Sequence, residues 1–182
     1  MEPNLKLKKD KGEDLKDVIK FQQLVGSLIY LTIIRPEIYY SVGIISQFMQ
    51  NPTTSYLNTA KRIFHYMKGS LSHGLWYKRC DTFLLSGFTD ANWAGDTYDH
   101  RSTLGYCFST GSTVVSWCSK KQDLISLSTT EAEYIAATMA AQECIWLKRL
   151  INDMYQKVDY VVQSSVTTKV PSNLHQIWFF ML

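Results

Sequence analysis

Three amphipathic helices are predicted before position 70 from the spacing of apolar side chains. The first has apolar residues at the i, i+3, i+4 and i+7 positions that form one face of a helix, namely Phe21, Leu24, Val25, Leu28 and Ile29. Pro36 interrupts this pattern and can begin a second helix, which ends before Pro52. Thr53 can cap a third helix, which Gly69 ends. The sequence before position 70 therefore predicts a helical segment that begins near Phe21.

The pattern then changes to short runs of aromatic and β-branched residues separated by turn residues, which is typical of strands. Four strands are predicted, at Gly74–Lys78, Leu84–Thr89, Gly105–Ser109 and Thr113–Ser119. The last two flank Gly111 at the spacing of a β-hairpin. Ser128–Glu131 is a capping box, and the helix that it begins can run to about Met154 without glycine or proline. The fold class expected is α+β or α/β, with a mixed sheet preceded by a helical segment.

Composition and charge narrow the possible functions only slightly. Of the 182 residues, 46% are hydrophobic and 19% are charged, which suits a globular protein with a sizeable core. The net charge of +3 permits a nucleic-acid partner without requiring one. The four cysteines and four histidines have no metal-ligand spacing, so we expect neither a zinc site nor a disulfide framework.

Two further expectations concern the start of the chain and membranes. Residues 1–20 carry six lysines and five acids with few large apolar groups, so we expect a solvated, disordered leader. No apolar run is long enough to cross a bilayer, so no membrane partner is expected.

Asp90 is the first candidate for metal-binding chemistry. It directly follows the predicted strand Leu84–Thr89, and a carboxylate at a strand end can hold a metal ion. An aspartate in that position more often forms a turn, and this is our interpretation of Asp96 and Asp99.

Glu133 is the second candidate. Counting back from Ala136 and Ala140 on the apolar stripe of the predicted long helix places Glu133 on the side that faces the core. A carboxylate turned toward a core needs a partner such as a metal ion, whereas Glu131 is explained as the reciprocal acid of the capping box. Glu133 is therefore the better candidate for catalysis.

A third set of residues favours nucleic-acid contact. Arg101, Lys120 and Lys121 lie near Trp93 and Trp117 in the sequence. Cations that contact phosphates and aromatic rings that stack on bases form such grooves. The alternative is that the cations are merely solvated and the tryptophans belong to the core.

Four segments together resemble the polymerase end of copia-type retrotransposons. They are, in order, LVGSLIYLTIIRPEI, LLSGFTDANWAGD, RSTLGYCFSTGSTVVSWCSKKQ and LSTTEAEYIAATMAAQECIWLKRL, within roughly Phe21–Val162. The resemblance implies that residues 21–78 are the helical C-terminal segment of a reverse transcriptase. It also implies that residues 79–162 are a partial ribonuclease H-like domain, whose partners are an RNA–DNA hybrid and the rest of the reverse transcriptase in a parent polyprotein.

The same resemblance implies a set of carboxylates that hold two Mg²⁺ ions and hydrolyse the RNA strand. Asp90 in the TDA motif matches the first acid, and Glu133 in the AEY motif matches the second. The third belongs to a CDN motif on the next strand and a fourth lies further on, but neither motif is present. After Glu143 of the predicted long helix, Asp153 and Asp159 are the only later acids, and neither matches a motif. We therefore expect weak or absent Mg²⁺ binding and no hydrolysis.

Residues 163–182 are expected to be an aberrant tail that leaves the domain truncated. One choice of codons for Ser164–Leu182, read two bases later, encodes a CDN motif, so we hypothesise a one-base frameshift after Gln163. A tail of that origin should be poorly ordered from Val162 onward. Three interpretations stay open: an inactive ribonuclease H remnant, a nucleic-acid-binding module that does not cleave, and a non-functional pseudogene product.

Overall fold

The chain divides into two compact units between Leu75 and Trp76. We call them the helical unit and the sheet unit. The computed structural model describes residues 12–78, 83–95, 99–111, 113–154, 158, 162 and 164–166. Helices build the first unit, and a sheet with one long helix builds the second, so the fold is mixed α+β.

The helical unit contains the three predicted helices. They are α1 (Val18–Leu31), α2 (Tyr39–Ser46), which a 3-10 turn at Pro36–Ile38 precedes, and α3 (Thr54–Gly69). Their apolar faces meet in one core of buried side chains: Phe21, Val25, Leu28, Ile38, Val42, Ile45, Tyr56, Ala60 and Ile63. The stripe at helical spacing thus becomes the buried face of each helix.

The predicted leader is wrong for the residues that directly precede α1. Asp17 is the N-cap of α1, and its Oδ1 accepts a hydrogen bond of 3.0 Å from the backbone N of Lys20. The backbone N of Leu15 donates to the carbonyl of Pro52 over 3.0 Å. The N-cap and the hydrogen bond between Leu15 and Pro52 order this segment despite its charge. Residues 1–11 lie outside the described residues.

The sheet unit has the strand order β3-β2-β1-β4. The strands are β1 (Leu85–Asn92), β2 (Thr103–Thr110), β3 (Thr113–Lys121) and β4 (Ser164–Val166). Strands β1, β2 and β3 pair antiparallel, and β4 pairs parallel to β1. The predicted hairpin between β2 and β3 is confirmed, and Gly111 in its turn has a φ of 74°, which favours glycine.

One predicted strand is wrong. Gly74–Lys78 forms no strand, and Trp76 and Tyr77 are exposed. Aromatic residues fit a strand only where a neighbouring strand pairs with them, and no strand of the described residues pairs with this segment.

Helix α4 (Thr129–Asp153) is the predicted long helix and packs against β1 and β2. Near its start, the face toward the sheet is made of Ala132, Ala136 and Ala140, and further along it is made of larger residues. The buried cluster beneath it comprises Leu85, Phe108, Ala140, Leu147, Ile151 and Val158. Small side chains let the first half of α4 approach the strands closely.

The prediction of a poorly ordered tail is wrong for its first residues. Val162 packs against the buried cluster, and Ser164–Val166 form β4 beside Gly87–Thr89 of β1. Parallel pairing uses main-chain hydrogen bonds, which ask little of the side chains. The rest of the predicted tail, residues 167–182, lies outside the described residues.

Candidate functional site at the end of the sheet

The ends of three strands and the start of α4 meet at one end of the sheet. The strand register pairs Asn92 with Thr103 and Thr103 with Lys121. Directly after β3, the side-chain Nε2 of Gln122 donates a hydrogen bond of 2.9 Å to the carbonyl of Ala132 in α4. The predicted site residues on β1 and α4 are therefore brought to the same end of the sheet.

A cluster of buried polar residues holds this end together. Ser102, Gln122 and Ser126 are almost completely buried. The backbone N of Gln122 donates to the carbonyl of Ser102 over 2.8 Å, and the hydroxyl of Ser126 donates to Oε1 of Gln122 over 2.7 Å. Nε1 of Trp93 donates to the carbonyl of Ser126 over 3.0 Å. Buried polar groups need such partners, and here the partners connect strands to the helix.

Sequence reasoning missed this polar cluster. Two of its members directly follow charged residues, since Ser102 follows Arg101 and Gln122 follows Lys121. A pattern of apolar residues gives no signal for a buried glutamine. The only signal in the sequence was that small polar residues and one amide lie between strand ends and a helix cap.

Asp90 lies within β1, two residues before its last residue, and not at the strand end as predicted. It is half-buried and pairs with Gly105 of β2. Positions along β1 alternate between buried and half-buried, and Asp90 belongs to the half-buried set on the opposite face from Leu85 and Thr89. The strand therefore continues past Asp90 to Asn92.

The expectation that Glu133 faces the core is wrong. Glu133 is exposed, and the neighbouring Ala132 is buried in its place. The buried stripe steps back by four residues from Ala140 to Ala136 and from Ala136 to Ala132. Counting back by three instead of four had placed Glu133 on that stripe. Its carboxylate therefore faces water at the start of α4.

The capping box is confirmed. The hydroxyl of Ser128 accepts a hydrogen bond of 3.1 Å from the backbone N of Glu131. The carboxylate of Glu131 accepts one of 2.6 Å from the backbone N of Leu127, the residue before the cap. Glu131 thus has the structural role predicted for it.

Asp90 and Glu133 belong to no larger group of metal ligands in the part of the chain that the structure describes. Among the described residues, no group of three or more His, Cys, Asp and Glu side chains is placed to hold a metal ion. The described residues of β4, next to β1, are Ser164, Ser165 and Val166. No aspartate or glutamate follows Asp159 in the sequence. Mg²⁺ requires a near-octahedral set of oxygen ligands, so these residues do not fit a two-ion centre.

The three candidate cations lie in two different environments. Nζ of Lys121 is 2.9 Å from Oδ2 of Asp99, and Nε of Arg101 is 3.7 Å from the same oxygen. The other oxygen of Asp99 accepts a hydrogen bond of 3.1 Å from the backbone N of Arg101, which confirms Asp99 as a turn former. Lys120 instead pairs with the exposed Asp123 over 3.6 Å.

The two tryptophans near the candidate cations differ in exposure. Trp93 is partly exposed although its ring N–H is hydrogen-bonded, and Trp117 is half-buried on β3.

Burial raises the pKa of the Cys107 thiol to about 12, and burial also raises the pKa of Cys144. Thiols held neutral in this way are poor nucleophiles. Cys80 lies outside the described residues.

None of the helices in the described residues has both the length and the apolar character that crossing a bilayer requires.

Comparison with known proteins gives clear relatives. No family model matches the chain, and no solved structure matches it. The chain is 40% identical over 154 residues to the retrovirus-related Pol polyprotein from transposon RE1 of Arabidopsis thaliana, covering 85% of this chain and 10% of that protein. It is 39% identical over 173 residues to the corresponding polyprotein from transposon TNT 1-94 of Nicotiana tabacum, covering 91% of this chain and 13% of that protein.

A shorter relative matches almost end to end. The chain is 40% identical over 130 residues to the secreted RxLR effector protein 161 of Plasmopara viticola, covering 71% of this chain and 92% of that protein. By contrast, the chain spans about a tenth of the length of the Pol polyproteins that it matches. The identity over most of the chain shows that it belongs to the retrovirus-related Pol polyproteins of transposons, as a fragment of one.

Proposed function

We propose that the chain derives from the junction of reverse transcriptase and ribonuclease H in a copia-type retrotransposon polymerase. In this proposal the helical unit is the end of the reverse transcriptase and the sheet unit is a ribonuclease H-like domain. The order of the four sequence segments supports the assignment, and so does the mixed sheet with α4 packed on β1 and β2.

We further propose that this chain binds RNA–DNA hybrids without hydrolysing them. One observation carries this: β4, the strand after the long helix, lies beside β1, and its described residues Ser164–Val166 bring no carboxylate. In the enzymes that the chain resembles, the next strand carries the third acid. Among the described residues, Asp90 and Glu133 are then the only two members of the acid set, and two carboxylates hold a pair of Mg²⁺ ions poorly.

Binding does not need the missing acid. Contacts to the phosphate backbone supply most of the affinity for nucleic acid and need only positioned cations. Arg101 and Lys121 lie at the same end of the sheet as Asp90, and the partly exposed Trp93 lies just after β1. The chemistry retained at this end is therefore that of a binding surface.

The test combines binding and cleavage on one substrate. A labelled RNA–DNA hybrid is incubated with the purified chain and Mg²⁺ over a range of salt concentrations. We expect no cleavage and an association constant that falls linearly with salt on logarithmic axes. Cleavage that disappears in Asp90→Asn would overturn the loss of hydrolysis, and the absence of salt-dependent binding would overturn the binding function.

A further inference from the structure

Trp93, just after β1, is held by a closed circuit of hydrogen bonds. Its Nε1 donates to the carbonyl of Ser126 over 3.0 Å, and the hydroxyl of Ser126 donates to Oε1 of Gln122 over 2.7 Å. The backbone N of Gln122 donates to the carbonyl of Ser102 over 2.8 Å, and the hydroxyl of Ser102 accepts a hydrogen bond of 3.2 Å from the backbone N of Ala94. Because Ala94 directly follows Trp93, the circuit returns to the place where it starts.

The three polar residues of this circuit lie in the interior of the sheet unit. Ser102, Gln122 and Ser126 are almost completely buried. A hydrogen bond is electrostatically stronger away from water than in it, so these bonds hold their partners firmly. Trp93 is therefore fixed at its backbone through Ala94 and at its indole through Ser126.

The backbone directly after Trp93 is strained. Ala94 has a φ of 48°, in the left-handed region that residues with a Cβ rarely adopt. Such a conformation costs free energy and persists only where the surrounding structure holds it, as the buried hydroxyl of Ser102 does here. Residues in such conformations cluster at sites that bind or transform a ligand. The side chain that this strained turn presents is that of Trp93.

The exposed part of Trp93 can offer a ligand only its ring. The residue is 44% exposed. An indole has one hydrogen-bond donor and no acceptor, and Ser126 already accepts from that donor. What is left is a flat π surface, which favours another planar ring. Every nucleobase has such a surface, and it is accessible where the base is unpaired and unstacked.

The segment that holds Trp93 is also unusually apolar at its surface. Leu124, Ile125 and Leu127, on either side of Ser126, are all exposed. Three large apolar side chains within four residues exceed the scattered exposure that is normal for a protein surface. Leucine and isoleucine pack between bases whose stacking is interrupted. The surroundings of Trp93 therefore suit the faces of bases and not a row of phosphates.

We propose that Trp93 is a stacking site for an unpaired base of the bound nucleic acid, and that Ser102 is a positioning residue for it. The inference rests on the proposed hybrid binding and adds a preference. A hybrid that continues into a single strand offers a free base, so the chain binds it more tightly than a hybrid that offers none.

The experiment compares two ligands that differ only in their bases. Each is an RNA–DNA hybrid whose DNA strand continues as a short single-stranded overhang, which carries bases in one ligand and is abasic in the other, so that both have the same phosphates. The full chain is expected to bind the base-bearing overhang roughly fivefold or more tightly, since stacking of one base on an aromatic side chain contributes at least that factor. Trp93→Ala should remove the difference.

Trp146→Ala is the matched control for the loss of an exposed indole. Trp146 is 56% exposed on α4 and lies 14 residues beyond Ala132, about 21 Å at a rise of 1.5 Å per residue. Its removal should leave the preference for the base-bearing overhang unchanged. Ser102→Ala takes away the acceptor for the backbone N of Ala94 and should weaken the preference without changing the affinity for the abasic ligand.

A spectroscopic measurement keeps the result decisive if Trp93→Ala disturbs folding. Trp93→Phe retains an aromatic ring and should retain most of the preference. Subtracting its emission from that of the parent chain gives the fluorescence of Trp93, which the base-bearing overhang should quench and the abasic one should not. Equal affinity of the parent chain for both overhangs, or an equal loss of preference in Trp146→Ala, would overturn the inference. If the parent chain binds neither ligand, the proposed function itself fails.

Discussion

The helical unit and the sheet unit bury their cores in different ways. In the helical unit, large side chains such as Phe21 and Tyr56 fill the space between helices. An added Cβ at Gly43 of α2 would meet no atom within 4 Å. In the sheet unit, a Cβ at Gly87 of β1 would lie 2.4 Å from Cε1 of Phe108.

The difference shows where each unit can tolerate a change of volume. The helical unit depends on the bulk of its side chains, so it is sensitive to losing atoms. The sheet unit depends on close approach, between an aromatic ring and Gly87 and between α4 and the strands through Ala136 and Ala140, so it is sensitive to gaining them. The acids and cations of the candidate site belong to this tightly packed unit.

The largest effect is expected from removing bulk in the helical unit. Phe21→Ala deletes a fully buried ring, and we expect the free energy of unfolding to fall by about 3–5 kcal/mol. The free energy of unfolding is measured by chemical denaturation, with hydrogen exchange of the α1 and α3 amides as the readout for this unit. The matched control is Tyr30→Ala on the same helix, which is 73% exposed and should change stability by less than about 0.5 kcal/mol. A similar loss in both variants would contradict the comparison.

The second prediction makes the same substitution in each unit and expects opposite signs. Gly87→Ala forces the Phe108 ring to move and should destabilise the chain by about 1–3 kcal/mol. Gly43→Ala adds its methyl group in open space within a helix and should stabilise it by about 0.4–1 kcal/mol. Thermal unfolding of the two variants beside the parent chain gives both signs. If Gly87→Ala stabilises the chain instead, the Phe108 ring can accommodate a methyl group at position 87 without strain, which would contradict the comparison.

The same contrast explains which elements the sequence could predict. Helices that expose one face and bury another leave a periodic signal, and so α3 and α4 lie where their caps and apolar stripes indicated. The β2–β3 hairpin was equally readable, because its partners are adjacent in the chain and Gly111 marks the turn. Local patterns were therefore enough for local elements.

Features that depend on distant partners could not be read in this way. The pairing of β4 with β1 joins segments about 80 residues apart through main-chain bonds and left no side-chain pattern. Spacings of three and four residues both fit a helical period, so the sequence could not choose between Ala132 and Glu133 for the buried position. Asp90 and Glu133 remain predicted site residues. Their location at the same end of the sheet supports this prediction.

The smallest effect concerns ionisation in the tightly packed unit. Burial raises the pKa of Cys107 from an ordinary value of 9.0 to about 12. The unfolded chain therefore loses this proton at lower pH than the folded chain. The stabilisation is complete below pH 9 and is lost as the pH rises toward 12. The loss should stay below about 1 kcal/mol at about pH 9.5.

The helical unit has no cysteine in its described residues, and its nearest counterpart is Tyr66, whose pKa burial and the neighbouring Glu37 raise above 10.0. We therefore expect the amides of β1 and β2 to lose protection from hydrogen exchange at lower pH than those of α3, after correction for the intrinsic exchange rate. Cys107→Ala should reduce the dependence between pH 9 and 10 in the sheet unit, where Cys144 also has a raised pKa, and should leave that of α3 unchanged. If the slope in the sheet unit is not reduced by the substitution, a group other than Cys107 is responsible for it.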